Sequence, residues 1–105
     1  MLLTQRQTAD LVDRIVAAVH PERIIVFGSS ARGEAGRYSD IDLLVVAPEG
    51  AHRRKTAQAI YRALLGSGLH VDVAVATPSD LEKYRDSPVL VYRQALREGK
   101  ELYAA

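Results

Sequence analysis

Asp40 and Asp42 stand two positions apart at the head of Asp40-Ile41-Asp42-Leu43-Leu44-Val45-Val46, an apolar, partly β-branched run that reads as a buried strand. Side chains alternate along a strand, so both carboxylates leave one face while Ile41, Leu43 and Val45 point to the other, into a core. Two like charges side by side repel, and an ordinary fold gains nothing by placing them so. A hard divalent cation resolves the conflict. Mg²⁺ takes carboxylate oxygens and keeps water and substrate phosphates as its remaining ligands. Upstream lies Val26-Phe27-Gly28-Ser29-Ser30. Gly28 lets the chain turn sharply and lets backbone approach a ligand closely. Ser29 or Ser30 then opens a short helical turn, whose free N–H groups favour a phosphate. One loop suited to phosphate and one strand suited to metal outline a nucleoside triphosphate site.

Gly28-Ser29 followed by Asp40-x-Asp42 and an apolar strand resembles the signature of the DNA polymerase β superfamily of nucleotidyltransferases. The short chain is similar to the MNT-type minimal members in particular. The likeness extends to Asp72 in Leu69-His70-Val71-Asp72-Val73-Ala74-Val75, to a helix start at Thr77-Pro78-Ser79-Asp80-Leu81, and to the ending Ala95 to Tyr103. The resemblance implies a mixed three-stranded sheet flanked by helices, an α/β (α+β) nucleotidyltransferase fold. It implies Asp40, Asp42 and Asp72 as catalytic metal ligands for two Mg²⁺ ions, about 3.5–4 Å apart in such sites. It also implies Gly28, Ser29, Ser30 and Arg32 as the phosphate-binding set, with ATP as the usual donor.

Composition bounds the rest. The 105 residues are one domain's worth. Lys plus Arg number 14 against 13 Asp plus Glu, so no bulk field drives the chain toward nucleic acid or membrane. With 48% apolar residues the chain is globular rather than disordered. The absence of cysteine excludes disulfides, thiol catalysis and thiolate zinc sites, and suits a reducing compartment. No apolar run approaches a membrane span. Met1-Leu2-Leu3-Thr4 lacks the features of a signal peptide, and a cytoplasmic location is expected.

The elements that must position these residues follow from periodicity and punctuation. Thr4 with Gln7 is a capping-box start. Leu11, Val12, Ile15, Val16 and Val19 continue at helical spacing until Pro21 stops the helix near His20. Arg23–Phe27 is the first strand, Gly33–Ser39 a loop and Asp40–Val46 the second strand. Ala51–Leu65 reads as a helix presenting Ala57, Ile60, Tyr61 and Leu64 on one face, with Gly66 near its C-cap. Leu69–Ala76 is a third strand, with Leu69, Val71, Val73 and Val75 on one face and His70, Asp72, Ala74 and Ala76 on the other. Thr77 and Pro78 cap a short helix. Ser87 and Pro88 start a last helix that Gly99 ends, and Leu102 and Tyr103 follow as a short extended piece.

Other residues have a plainer reading. Arg32 and Arg37 suit a triphosphate clamp or ordinary solvation; Ser39 suits a hydrogen bond to Asp40. His70 shares the Asp72 face, though a surface role suits it better, as it does His20 and His52. His52-Arg53-Arg54-Lys55 places positive charge on a first helical turn against the dipole, either as a tolerated solvated turn or as a contact for an acidic partner or RNA. Tyr61, Tyr84 and Tyr92 read as packing at the edge of the core.

The resemblance further implies AMP transfer to a hydroxyl, with a tyrosine of a small helical HEPN-type partner as acceptor, in a two-component system where this chain is the antitoxin. Larger superfamily members carry a second domain for base and acceptor, so a partner or a homo-oligomer is expected to complete the site. Nucleic acid as direct substrate and membrane association are not expected. Two alternatives stay open: a non-catalytic antitoxin, and transfer to a small molecule.

Overall fold

A computed structural model describes residues 3–28 and 40–105. Thr4 accepts the N–H of Gln7 at 3.0 Å while Gln7 Oε1 accepts the N–H of Thr4 at 2.9 Å, the anticipated capping box. It opens helix α1, Gln5–Val19, whose Leu11 and Ile15 are fully buried. His20 closes α1 in the left-handed conformation, φ 47°, and donates its N–H to the carbonyl of Val16.

Strands β1 (Arg23–Phe27) and β2 (Ile41–Val46) pair antiparallel, with Phe27 opposite Asp42. Helix α2 (Arg53–Ala63) follows, capped by His52, whose Nδ1 accepts the N–H of Lys55 at 3.2 Å. Its first turn is not simply unpaired charge: Arg53 reaches Asp80 at 3.4 Å. Arg14 of α1 donates to the carbonyls of Ala63 and Leu65 at 3.0 and 3.1 Å, satisfying groups that the end of α2 leaves open. Strand β3 (Val71–Ala76) runs parallel to β2, as a crossover through a helix allows. Helix α3 (Pro78–Tyr84) carries the expected Thr77 cap with proline in its first turn.

Two expectations change. The last helix, α4, spans Tyr92–Glu98 rather than starting at Ser87. Its N-cap, Val91, offers no side-chain hydrogen bond, and the β-branched valines before it are poor helix formers. What holds α4 is burial of Tyr92 and Ala95, with the Tyr92 hydroxyl on the carbonyl of Val75 at 3.2 Å. The sheet has four strands among the described residues, in the order β3-β2-β1-β4, not three. Strand β4 (Lys100–Ala104) pairs antiparallel with β1, with a register shift between Ile24 and Ile25. Only Leu102 and Tyr103 in it are strongly apolar; the free edge of β1, rather than local pattern, makes it a strand.

The sheet buries both faces. Ile24, Val26, Ile41, Leu43, Val45 and Val75 pack under α1 and α2 with Leu11, Ile15 and Ile60. Ile25, Phe27, Leu44 and Ala76 pack against Tyr92 and Ala95 of α4. The alternation read for β3 holds: Leu69, Val71 and Val73 join the first cluster and Ala74 the second.

Candidate active site

Asp42 is half-buried on β2 and Asp72 is exposed on β3. The parallel register sets them directly opposite each other, on neighbouring strands about 4.8 Å apart. They share the sheet face of Leu44 and Ala74, not the face covered by α1 and α2. Asp40 is exposed just before β2, where the N–H of Ile41 donates to the carbonyl of His70 at 2.8 Å. That bond ties the entry of β2 to the entry of β3. The consequence is electrostatic: Asp42 has its carboxyl pKa raised above the ordinary value, first by burial, then by the charges of Asp72 and Asp40.

Gly28 completes the arrangement from the end of β1. Its φ is +74°, and a Cβ placed on it would lie 2.5 Å from Asp42 Oδ2. Backbone here approaches a carboxylate more closely than any side chain permits. A cavity of about 380 Å³ opens beside the carboxylates, lined by Phe27, Asp42, Asp72, Val73, Ala74, Val91 and Gln94. A second, of about 460 Å³, adjoins it along Ser87–Glu98 and shares Val91 and Gln94, but holds none of the sheet carboxylates.

The donor chemistry suits a hard cation: carboxylate oxygens on one face, with mutual repulsion that a divalent ion would relieve. Among the described residues, no three acidic, histidine or cysteine side chains converge as they stand on one cation position. Mg²⁺ does not require such a cage, since it is usually held by one or two carboxylates together with substrate phosphates and water. The residues present therefore fit Mg²⁺ bound jointly with a nucleotide.

Of the residues singled out in the sequence, Asp42, Asp72 and Gly28 come together, and Asp40 is near enough for its charge to act on Asp42. Ser29, Ser30, Arg32, Arg37 and Ser39 lie outside the described residues. His70 does not line the cavity. Phe27, Val91 and Gln94 were not anticipated; Phe27 neighbours the glycine turn, whereas nothing local marks Val91 or Gln94. Tyr84 and Tyr92 pack against the core; Tyr61 reaches the edge of the sheet. It is 42% exposed, and its hydroxyl accepts the N–H of Val73 at 2.8 Å and donates to Asp72 Oδ1 at 3.4 Å. No helix among the described residues is long and apolar enough to cross a membrane.

Comparison with known proteins bears on this geometry. The sequence pattern of the family described as "Nucleotidyltransferase domain" matches residues 7–101. A protein of Methanocaldococcus jannaschii, described as a candidate protein adenylyltransferase, is 35% identical over 72 residues, covering 64% of this chain. The chain spans about half of that relative's length, 49%. Among solved structures, a toxin-antitoxin complex with AMP-PNP is similar at a TM-score of 0.64 and 24% identity, over 93% of this chain and 73% of that one. The complex of the tri-AMPylated HEPN toxin of Shewanella oneidensis with its MNT antitoxin is similar at 0.54 and 21%, over 98% and 74%. At such identities the structural likenesses carry the fold.

Proposed function

Because this chain belongs to the nucleotidyltransferase domain family, we propose that it moves AMP from Mg-ATP to a hydroxyl, that of a tyrosine on a small helical HEPN-type partner, and acts in the cytoplasm as the antitoxin of the pair. The observation that carries the reading is the in-register pair Asp42 and Asp72 with Gly28 against the Asp42 carboxylate. Support for AMP as the group and a protein as acceptor comes from the relative described as a candidate protein adenylyltransferase. Support for the partner comes from fold neighbours solved as toxin-antitoxin complexes, one with its HEPN toxin AMPylated.

Asp40, Asp42 and Asp72 would hold two Mg²⁺ ions, which supply charge neutralisation at the phosphates and orient them. The acceptor hydroxyl attacks the α-phosphorus, forming a P–O bond as the bond from that phosphorus to the bridging α–β oxygen breaks and pyrophosphate leaves. Asp72 accepts the hydroxyl proton. Its exposure at the sheet edge leaves it open to an acceptor arriving from outside. Gly28 keeps the space beside Asp42 clear, and Phe27 and Ala74 form the apolar floor of the cavity. Ser29, Ser30 and Arg32 would grip the β- and γ-phosphates, so that positioning supplies much of the rate.

The test is intact mass spectrometry of a small helical HEPN-type protein incubated with this chain, ATP and Mg²⁺. An added adenylyl group is expected, absent with the Asp40→Ala/Asp42→Ala variant. An unmodified partner that both forms neutralise equally well would replace this reading with that of a binding module.

A further inference from the structure

Strand β3 is an edge strand, and an edge leaves backbone donors without a ladder partner. At Val73 the outward N–H is met instead by the Tyr61 hydroxyl from α2, at 2.8 Å. A phenol that accepts one hydrogen bond still has its own proton to donate. The hydroxyl donates to Asp72 Oδ1, with the two oxygens 3.4 Å apart. The residue is too exposed, at 42%, for burial to explain its placement, while its helical neighbours Ile60 and Leu64 are buried beneath the sheet. We propose that Tyr61 is a positioning residue of the transfer site, anchored by the Val73 N–H and holding the Asp72 carboxylate in the orientation in which it meets metal and acceptor.

Asp72 stands on an exposed edge, where a carboxylate otherwise swings among rotamers and is solvated on all sides. The Val73 N–H belongs to the residue next to Asp72, so the hydroxyl is indexed to the local backbone rather than to a distant element. Its donated bond engages one carboxylate oxygen and leaves Oδ2 for metal or proton. A hydrogen-bonded partner that orients a metal ligand in this way accounts for about 10- to 100-fold in metal affinity or activity. This inference rests on the proposed nucleotidyl-transfer reading, and it concerns a residue that the reading does not otherwise use.

The experiment titrates Mn²⁺ in place of Mg²⁺ at saturating AMP-PNP, with free Mn²⁺ followed by electron paramagnetic resonance. The proteins are the unsubstituted chain, Asp42→Asn, Asp72→Asn, Tyr61→Phe and the Tyr61→Phe/Asp72→Asn double variant. Tyr61→Phe keeps the ring and exposes the Val73 N–H to water, and should leave AMP-PNP affinity unchanged while weakening the ion held by Asp72 about tenfold. In the Asp72→Asn background the same substitution should have no further effect, since a residue acting through another loses its influence when that other is removed. An equal loss in both backgrounds overturns the proposal and leaves Tyr61 a structural group. So does Mn²⁺ binding that Asp72→Asn weakens and Tyr61→Phe does not. If neither Asp42→Asn nor Asp72→Asn affects Mn²⁺, the transfer-site reading itself fails, and the role of Tyr61 with it. A second measurement needs no change at Tyr61. The ¹³Cζ resonance of Tyr61 should move on Asp72→Asn, and an unmoved resonance overturns the contact. Adenylyl found on Tyr61 after incubation with Mg-ATP would also overturn it, making the phenol an acceptor.

Discussion

Replacing Gly28 by alanine separates the site from the fold. Gly28 has φ +74°, and an L-residue there costs about 1–2 kcal/mol. Alanine also restricts the unfolded chain, which returns about 0.4–1 kcal/mol. The net destabilisation is about 1 kcal/mol, a fall in Tm of about 5 °C for a chain of this size. The effect on the site is larger. The new Cβ would lie 2.5 Å from Asp42 Oδ2, whereas ordinary contact begins at 3.4 Å. The carboxylate must retreat by about an ångström, and a displacement of that size at a reacting centre costs about 100-fold. Gly50 supplies the control: its φ is +85°, yet a Cβ there meets nothing within 4 Å. Gly50→Ala should match Gly28→Ala in thermal unfolding and bind ATP with full Mg²⁺ dependence. Calorimetric ATP titrations with and without Mg²⁺ then compare the two. If Gly28→Ala keeps the same Mg²⁺-dependent affinity as Gly50→Ala, the close approach of Gly28 to Asp42 has no functional meaning and the reasoning fails.

Three further outcomes are expected. Asp42→Asn should remove the Mg²⁺ dependence of ATP binding yet raise the Tm of the metal-free protein at pH 7. With its folded pKa above the ordinary value of 3.8, ionised Asp42 disfavours the fold once pH exceeds that raised pKa. Stability is therefore lost as pH rises through the window above 3.8, and the advantage of the asparagine should shrink as pH falls back through it; a variant less stable at every pH would mark Asp42 as structural. Asp72→Asn should bind Mg-ATP nearly normally but transfer AMP at least about 100-fold more slowly in single-turnover assays, as loss of a proton acceptor requires; equal loss of nucleotide binding would reassign it. Ile60→Ala, at a fully buried position in the cluster under the sheet, should cost about 2–5 kcal/mol by chemical denaturation without changing the Mg²⁺ requirement of the folded fraction; a cost below about 1 kcal/mol would contradict the packing.

Much of this protein was decided within a few residues of chain. The two-residue spacing of Asp40 and Asp42, with apolar Ile41, Leu43 and Val45 between and beyond, sets faces by strand pleat alone. Thr4 caps its helix through Gln7, and Thr77, just before Pro78, caps its own through Asp80, in contacts no more than three residues apart. Gly28 could be read as a turn because its freedom is a property of the residue itself. Other features required partners far along the chain. The sequence supplies Asp72 as a third carboxylate, but only the parallel register of β2 and β3 sets it opposite Asp42. Strand β4 has too few apolar residues to declare itself and exists because β1 offers it a free edge. Val91 and Gln94 reach the cavity because the burial of Tyr92 and Ala95 docks α4 on that face of the sheet. Tyr61 has a helical spacing that points to the core, yet the open edge at Val73 draws its hydroxyl toward Asp72. Local pattern determines which face a side chain leaves; which groups meet across strands is settled by backbone hydrogen bonds that only the assembled sheet leaves unfilled.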